Sequence, residues 1–217
     1  MLQFNGVSKF YGTRRTPKHI LKDVSVNLDL SKNTALLAKN GAGKSTILRM
    51  IGECESISKG SISNPYNTSW PLALQGGIQN SLTGKENAVA IATMYGIINK
   101  PGYIQAVKEF SELRDDFDRP VKTYSHGMRS RLAFSLSIHV DFDVYLVDEI
   151  ISVGDEKFRI KANQVITSML GERAFLIVSH NMQLLRKHCE QAIVLNNHKL
   201  TVYDSIEEGI ASYESIS

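Results

Sequence analysis

The chain has 217 residues, of which 42% are hydrophobic and 22% charged, and a formal net charge of +3. That is enough length for one sizeable α/β core, and too little positive charge to predict a nucleic-acid surface. A membrane helix needs roughly 20 mostly apolar residues, and no stretch supplies them. Even the uncharged run from Ser61 to Gly84 is broken by Ser, Asn, Pro and Gly. Met1–Asn5 does not begin a secretory signal. Cys54 and Cys189 have neither metal-ligand spacing nor a disulfide framework, which fits a reducing compartment.

In chain order, residues 1–35 read as β-rich, with apolar alternation around Val24–Leu28. The segment Leu36–Thr46 reads as a strand end, a glycine-rich loop and a helix start. Residues 57–80 are expected to be irregular or short-stranded. Thr83-Gly84-Lys85-Glu86 has the form of a capping box, and Val89, Ala92, Met94 and Tyr95 follow at helical apolar spacing. A second helix is predicted over Tyr103–Leu113, with Val107, Phe110 and Leu113 on one side. A helical subdomain is therefore expected over about 83–140. Val144–Val147 and Ala174–Val178 are short, wholly apolar, β-rich runs that suit strands buried on both faces of a parallel sheet. Helices at about 157–170 and 182–189 separate and follow them, so the class is an α/β sandwich.

Four constellations carry chemistry. In Ala38-Lys39-Asn40-Gly41-Ala42-Gly43-Lys44-Ser45-Thr46, the two glycines let backbone N–H groups turn toward phosphate oxygens at a helix N-terminus. Lys44 is expected to reach the β- and γ-phosphates and the Ser45 hydroxyl to ligate Mg²⁺. The strict pattern has glycine where this chain has Ala38. Asp148 and Glu149 end an apolar strand: Asp148 suits a position behind the Mg²⁺, through water, and Glu149 can polarise an attacking water. His180 follows the next strand and fits a γ-phosphate contact; a lone histidine is more often structural. Ser125-His126-Gly127-Met128 opens a basic and then apolar helix, 23 residues before Asp148.

With these offsets the chain resembles the ATP-binding subunits of ABC transporters over nearly its whole length. KNGAGKST is similar to the Walker A loop, YSHGM to the signature motif and VYLVDE to Walker B. Asp155 in SVGD matches the D-loop aspartate and His180 the switch histidine. SWPLAL, SLTGKEN, YSHGMRSRLAF and DEIISVGD are similar to the ATPases that power capsular polysaccharide export across the bacterial inner membrane. The resemblance implies a P-loop NTPase fold over 1–217. Its parts are an N-terminal antiparallel β region, a central mostly parallel sheet flanked by helices, and the helical subdomain. It also implies ATP and Mg²⁺ as ligands and pairing with a second copy of the chain. Ser125 and Gly127 then cap ATP held by the other copy's Walker A loop, and Glu149 acts as the catalytic base. A separate integral-membrane permease is the further partner, with this chain peripheral on the cytoplasmic face of the inner membrane, the polysaccharide cargo not contacted directly and no nucleic acid involved. Tyr11 matches the aromatic that stacks on adenine; otherwise it is a core or surface aromatic. Gln75 is the preferred Q-loop glutamine, with Gln79 as the other candidate.

Several departures remain open. A methyl at Ala38 is tolerable if the residue keeps φ < 0 and strained otherwise. His126, replacing the usual glycine, is either a favourable cation or crowding. Trp70, in the uncharged run, either docks the permease or packs in the core. The alternatives are an exporter for O-antigen, teichoic acid or a drug, and, less favoured, a non-transport P-loop NTPase. O-antigen exporters often carry a C-terminal carbohydrate-binding extension, whereas this sequence ends at Ser217 soon after the expected fold closes.

Overall fold

The computed structural model describes residues 1–13, 16–74, 77–148 and 154–216. The chain divides into two compact units, one of residues 1–71, 142–150 and 169–217, the other of 72–141 and 151–168.

The first unit holds two sheets. In the smaller one, β1 (Leu2–Thr13) lies between β2 (Thr16–Leu28) and β4 (Lys59–Ser63), antiparallel to both. The register shifts between Phe4 and Val7, where Gly6 has φ 58°. A bulge of this kind changes which face successive side chains point to. Leu2 and Phe4 are buried before it, and Val7 and Lys9 after it. The register shifts again between Val7 and Lys9 and between Lys9 and Phe10, and Lys9 Nζ lies 4.8 Å from the Tyr11 ring centroid.

The larger sheet has the order β5-β6-β3-β7-β8, from β3 (Thr34–Leu37), β5 (Val144–Asp148), β6 (Ala174–Val178), β7 (Gln191–Asn196) and β8 (Lys199–Tyr203). The first four strands are parallel and β8 is antiparallel. All four residues of β3 are buried, as are Val144–Val147 of β5 and Phe175–Val178 of β6, so these strands are covered on both faces. Among the described residues, α1 (Lys44–Ile51), α6 (Met182–His188) and α7 (Ile206–Ser215) belong to this unit. Ile47, Leu48, Met50 and Ile51 of α1 enter one core with Leu36, Leu146, Leu176 and Ile193 of the sheet. Gly209 of α7 is required for close packing, since a Cβ there would lie 2.2 Å from Ala192 Cβ.

The second unit contains α2 (Gly84–Met94), α3 (Lys100–Ser111), α4 (His126–Ile138) and most of α5 (Glu156–Met169). Phe110, Phe134 and Phe158 bring α3, α4 and α5 together with ring centroids 5.6–6.1 Å apart. Lys161 Nζ sits 4.3 Å from the Phe110 centroid. Both hydrogen bonds of the Thr83–Glu86 capping box are present. The buried face of α2 differs from the periodicity reading. Val89, Met94 and Tyr95 are exposed, and Gly84, Asn87, Ala88 and Ala92 are buried. Asn87 is accepted inside because its amide oxygen accepts from Gln79 N–H (2.8 Å) and its amide nitrogen donates to Gln79 O (3.1 Å) and Thr83 O (2.8 Å). Small residues and a satisfied amide displace the larger apolar side chains from the core. Helix α3 starts at Lys100, three residues before the predicted start, because Asn99 caps it and Pro101 occupies its first turn.

Candidate functional site

The glycine-rich loop connects β3 to α1. Ala38 is 2% exposed and packs in the core of the first unit, and it is not among the described non-glycine residues with positive φ. Its methyl therefore sits in allowed backbone and fills space. Gly41 has φ 74° and Gly43 φ 117°. At Gly43 a Cβ would come within 2.4 Å of Ile20 Cγ2, so both conformation and room exclude a side chain.

Gly43 is the N-cap of α1, with no side-chain cap and no acidic residue in the first turn. Thr83, Asn99, Ser125 and Asn181, by contrast, each bond a first-turn N–H of their own helices. The N–H groups of α1 and the positive end of its dipole are thus left to an anion. Lys44 Nζ donates to Ala38 O (3.0 Å) and Lys39 O (3.4 Å), which holds the ammonium against the loop.

Sheet order brings the remaining groups here. β3, β6 and β5 are parallel neighbours, so their carboxyl ends emerge side by side. Asp148, the last residue of β5, pairs with Val178, and His180 lies two residues further on. A cavity of about 560 Å³ is lined by Tyr11, Lys18, Ile20, Asn40, Gly41, Gly43, Lys44, Ser45, Thr46, Asp148, Val178 and His180. Two lysines, one carboxylate, the hydroxyls of Tyr11, Ser45 and Thr46 and the helix terminus give it the chemistry of a polyanion site with hard oxygen donors at hand. Lys39 and Ala42 belong to the loop without lining the cavity, and Ala42 N–H donates to Lys39 O (3.2 Å).

The other sequence-predicted residues lie elsewhere. Ser125 and His126 are exposed at the start of α4, where Ser125 Oγ accepts from Met128 N–H (3.2 Å). Gly127 is half-buried, with a Cβ there 3.9 Å from the nearest atom. Asp155 Oδ1 accepts from Phe158 N–H (2.9 Å) at the head of α5. All of these belong to the second unit and none lines the cavity. Glu149 and Gln75 lie outside the described residues. Gln79 is exposed, with both backbone groups held by Asn87. Trp70 is half-buried and packs edge-on against Phe142, ring centroids 5.5 Å apart.

Sequence reasoning missed Lys18, Ile20 and Glu55. Lys18 is directly opposite Tyr11 in the β1–β2 register. Ile20 is the side chain that denies Gly43 a Cβ. Glu55 accepts a hydrogen bond from the Tyr11 hydroxyl. Hairpin register is the signal for Lys18; Glu55 has no local signature.

Residues 21–152 match the family model described as ABC transporter. The chain is similar to the polysialic acid transport ATP-binding protein KpsT of Escherichia coli, with 40% identity over 99% of this chain and 96% of that protein. It is likewise similar to the capsule polysaccharide export ATP-binding protein CtrD of Neisseria meningitidis serogroup B, with 37% identity over all of both chains. Among solved structures, the ATP-binding cassette MJ0796, in a dimeric post-hydrolysis state bound to ADP and Pi, aligns with a TM-score of 0.72. That alignment covers 95% of this chain and 99% of that one at 18% identity, a likeness of fold.

Proposed function

The chain belongs to the ABC transporter family, and from that premise we propose that it is the ATP-hydrolysing subunit of a bacterial capsular polysaccharide exporter. The observation that carries the proposal is the cavity lined together by the loop after β3, Asp148 and His180, in a chain so similar to capsule-export ATP-binding proteins.

In this mechanism the N–H groups of the loop and α1 bind the ATP phosphates, with Lys44 turning from its carbonyl contacts onto the β- and γ-phosphates. Tyr11, at the cavity wall, stacks on the adenine. Ser45 and Asp148 both line the cavity and offer the hard oxygen donors that Mg²⁺ prefers. When bound, Mg²⁺ neutralises charge that develops on the phosphates. Glu149 accepts the proton of the attacking water, and His180 orients the γ-phosphate.

Ser125, His126, Gly127 and Met128 act on ATP held by a second copy of the chain, and Asp155 links the two sites. The 72–141 and 151–168 unit is the helical subdomain of this single ATPase domain. No helix among the described residues is long and apolar enough to cross a membrane. In this reading the chain acts at the cytoplasmic face of the inner membrane on a separate integral-membrane permease, a partner supported by its likeness to transport ATP-binding proteins. The uncharged stretch around Trp70 is the part of the chain that docks the permease, with Gln75 as the Q-loop glutamine.

The decisive experiment is Glu149→Gln. Turnover stops while an ATP-bound dimer accumulates, seen by size-exclusion chromatography. Hydrolysis at the wild-type rate would exclude Glu149 as the base. Purification from membranes should recover a polysaccharide-export permease; recovery of a periplasmic binding-protein importer instead sinks the export assignment.

A further inference from the structure

Beside the cavity, four side chains close a ring of hydrogen bonds. Arg49 Nε donates to Glu55 Oε2 (2.8 Å), and Arg49 Nη2 makes a longer contact to Thr46 Oγ1 (3.4 Å). The Tyr11 hydroxyl donates to Glu55 Oε1 and lies 3.2 Å from Thr46 Oγ1. Proton counting fixes the direction. Tyr11 has one proton and gives it to Glu55, so the Thr46 hydroxyl donates to Tyr11 while accepting from Arg49. Lys9 completes the cluster: its Nζ is 2.8 Å from Glu55 Oε1, donates to Ser56 O (2.7 Å) and lies 4.8 Å from the Tyr11 ring centroid.

We propose that Glu55 is a positioning residue for ATP: it fixes the Tyr11 ring at the cavity wall and ties it to Thr46 in the first turn of α1. The proposal rests on the ATPase assignment and adds to it a residue outside every nucleotide motif. Three features support it. Tyr11 is 39% exposed and stands near the end of a hairpin, so its ring has little packing of its own to hold it. Glu55 is anchored by two cations, so it is a fixed acceptor. Thr46 is 5% exposed and adjoins Ser45, so the ring is referenced to the phosphate-binding helix itself. Partial burial opposes ionisation of Glu55, but hydrogen bonds from Lys9, Tyr11 and Arg49 outweigh it and hold the carboxyl down at about 2, charged at any physiological pH.

The experiment compares ATP with inorganic tripolyphosphate, which has the phosphates without the base, as competitors of a fluorescent nucleotide in the presence of Mg²⁺. Glu55→Ala and Tyr11→Phe should each weaken ATP roughly three- to tenfold, the factor that ordering one mobile side chain is worth, and leave tripolyphosphate within about twofold. In the Tyr11→Phe background, Glu55→Ala should add little, because both changes cut the same contact. Tyr11→Phe keeps the ring and all three charges of the cluster, so it carries the test if Glu55→Ala fails to fold. Equal losses for both competitors, or fully additive losses in the double variant, overturn the positioning role. Wild-type protein that binds tripolyphosphate but gains nothing from the base overturns it too. Wild-type protein that binds neither competitor overturns the ATPase assignment itself.

Discussion

Replacing Ala38 by the glycine of the strict phosphate-loop pattern should harm this protein. The Ala38 methyl is 2% exposed, packed with the core of the first unit. Deleting one buried carbon costs about 0.8 kcal/mol in transfer free energy. Glycine adds roughly 0.5–1 kcal/mol by freeing the unfolded backbone. Nothing offsets these terms, since Ala38 is absent from the described positive-φ residues and glycine relieves no strain. The sum is about 1.5 kcal/mol, or about 3–6 °C in unfolding midpoint for a chain this long. Thermal unfolding followed by circular dichroism measures it, and the KM for ATP should stay unchanged because the methyl points into the core. A higher midpoint for Ala38→Gly, or a severalfold lower KM, would refute the reasoning by showing that the position favours a glycine-only conformation.

Asn87→Ala should destabilise by about 3 kcal/mol, since three buried hydrogen bonds are lost at roughly 1 kcal/mol each; a urea midpoint within error of wild type would contradict it. Native protein should expose one accessible thiol, Cys54, which reacts before Cys189 although partial burial pushes it above its ordinary value. Cys189 is 5% exposed with its thiol pushed up to about 12 by burial, and should react only on unfolding; two fast thiols would contradict this. The carboxyl of Glu55 lies below its ordinary value of 4.5, at about 2 when folded, so the unfolded chain takes up its proton first as pH falls. Its contribution is complete above about pH 4.5 and lost toward pH 2. The stability gap between wild type and Glu55→Gln should therefore narrow across that window, and a constant gap would count against the ion cluster.

The sequence by itself determined the elements whose conformation is set by neighbours in the chain. The capping box at Thr83–Glu86 and the apolar runs at 144–147 and 174–178 are local, and the structure has a helix and two buried strands there. Gly41 and Gly43 were equally legible, because left-handed backbone has few other occupants. Family membership came from motif spacing, which is also written along the chain. Tertiary structure decided everything that depends on which strand lies beside which. Periodicity could not tell that Asn87 would be buried and Met94 exposed, because the inside of a helix is defined by what covers it. Whether the Ala38 methyl was tolerated or strained was open in the sequence, and packing and φ make it a core residue. Lys18 reaches the cavity through hairpin register, whereas Glu55 meets Tyr11 through an ion cluster between distant parts of the sequence, which leaves no trace in local spacing. Local torsional preference and hydrophobic period are properties of a segment; burial and electrostatic partnership are properties of the assembled chain.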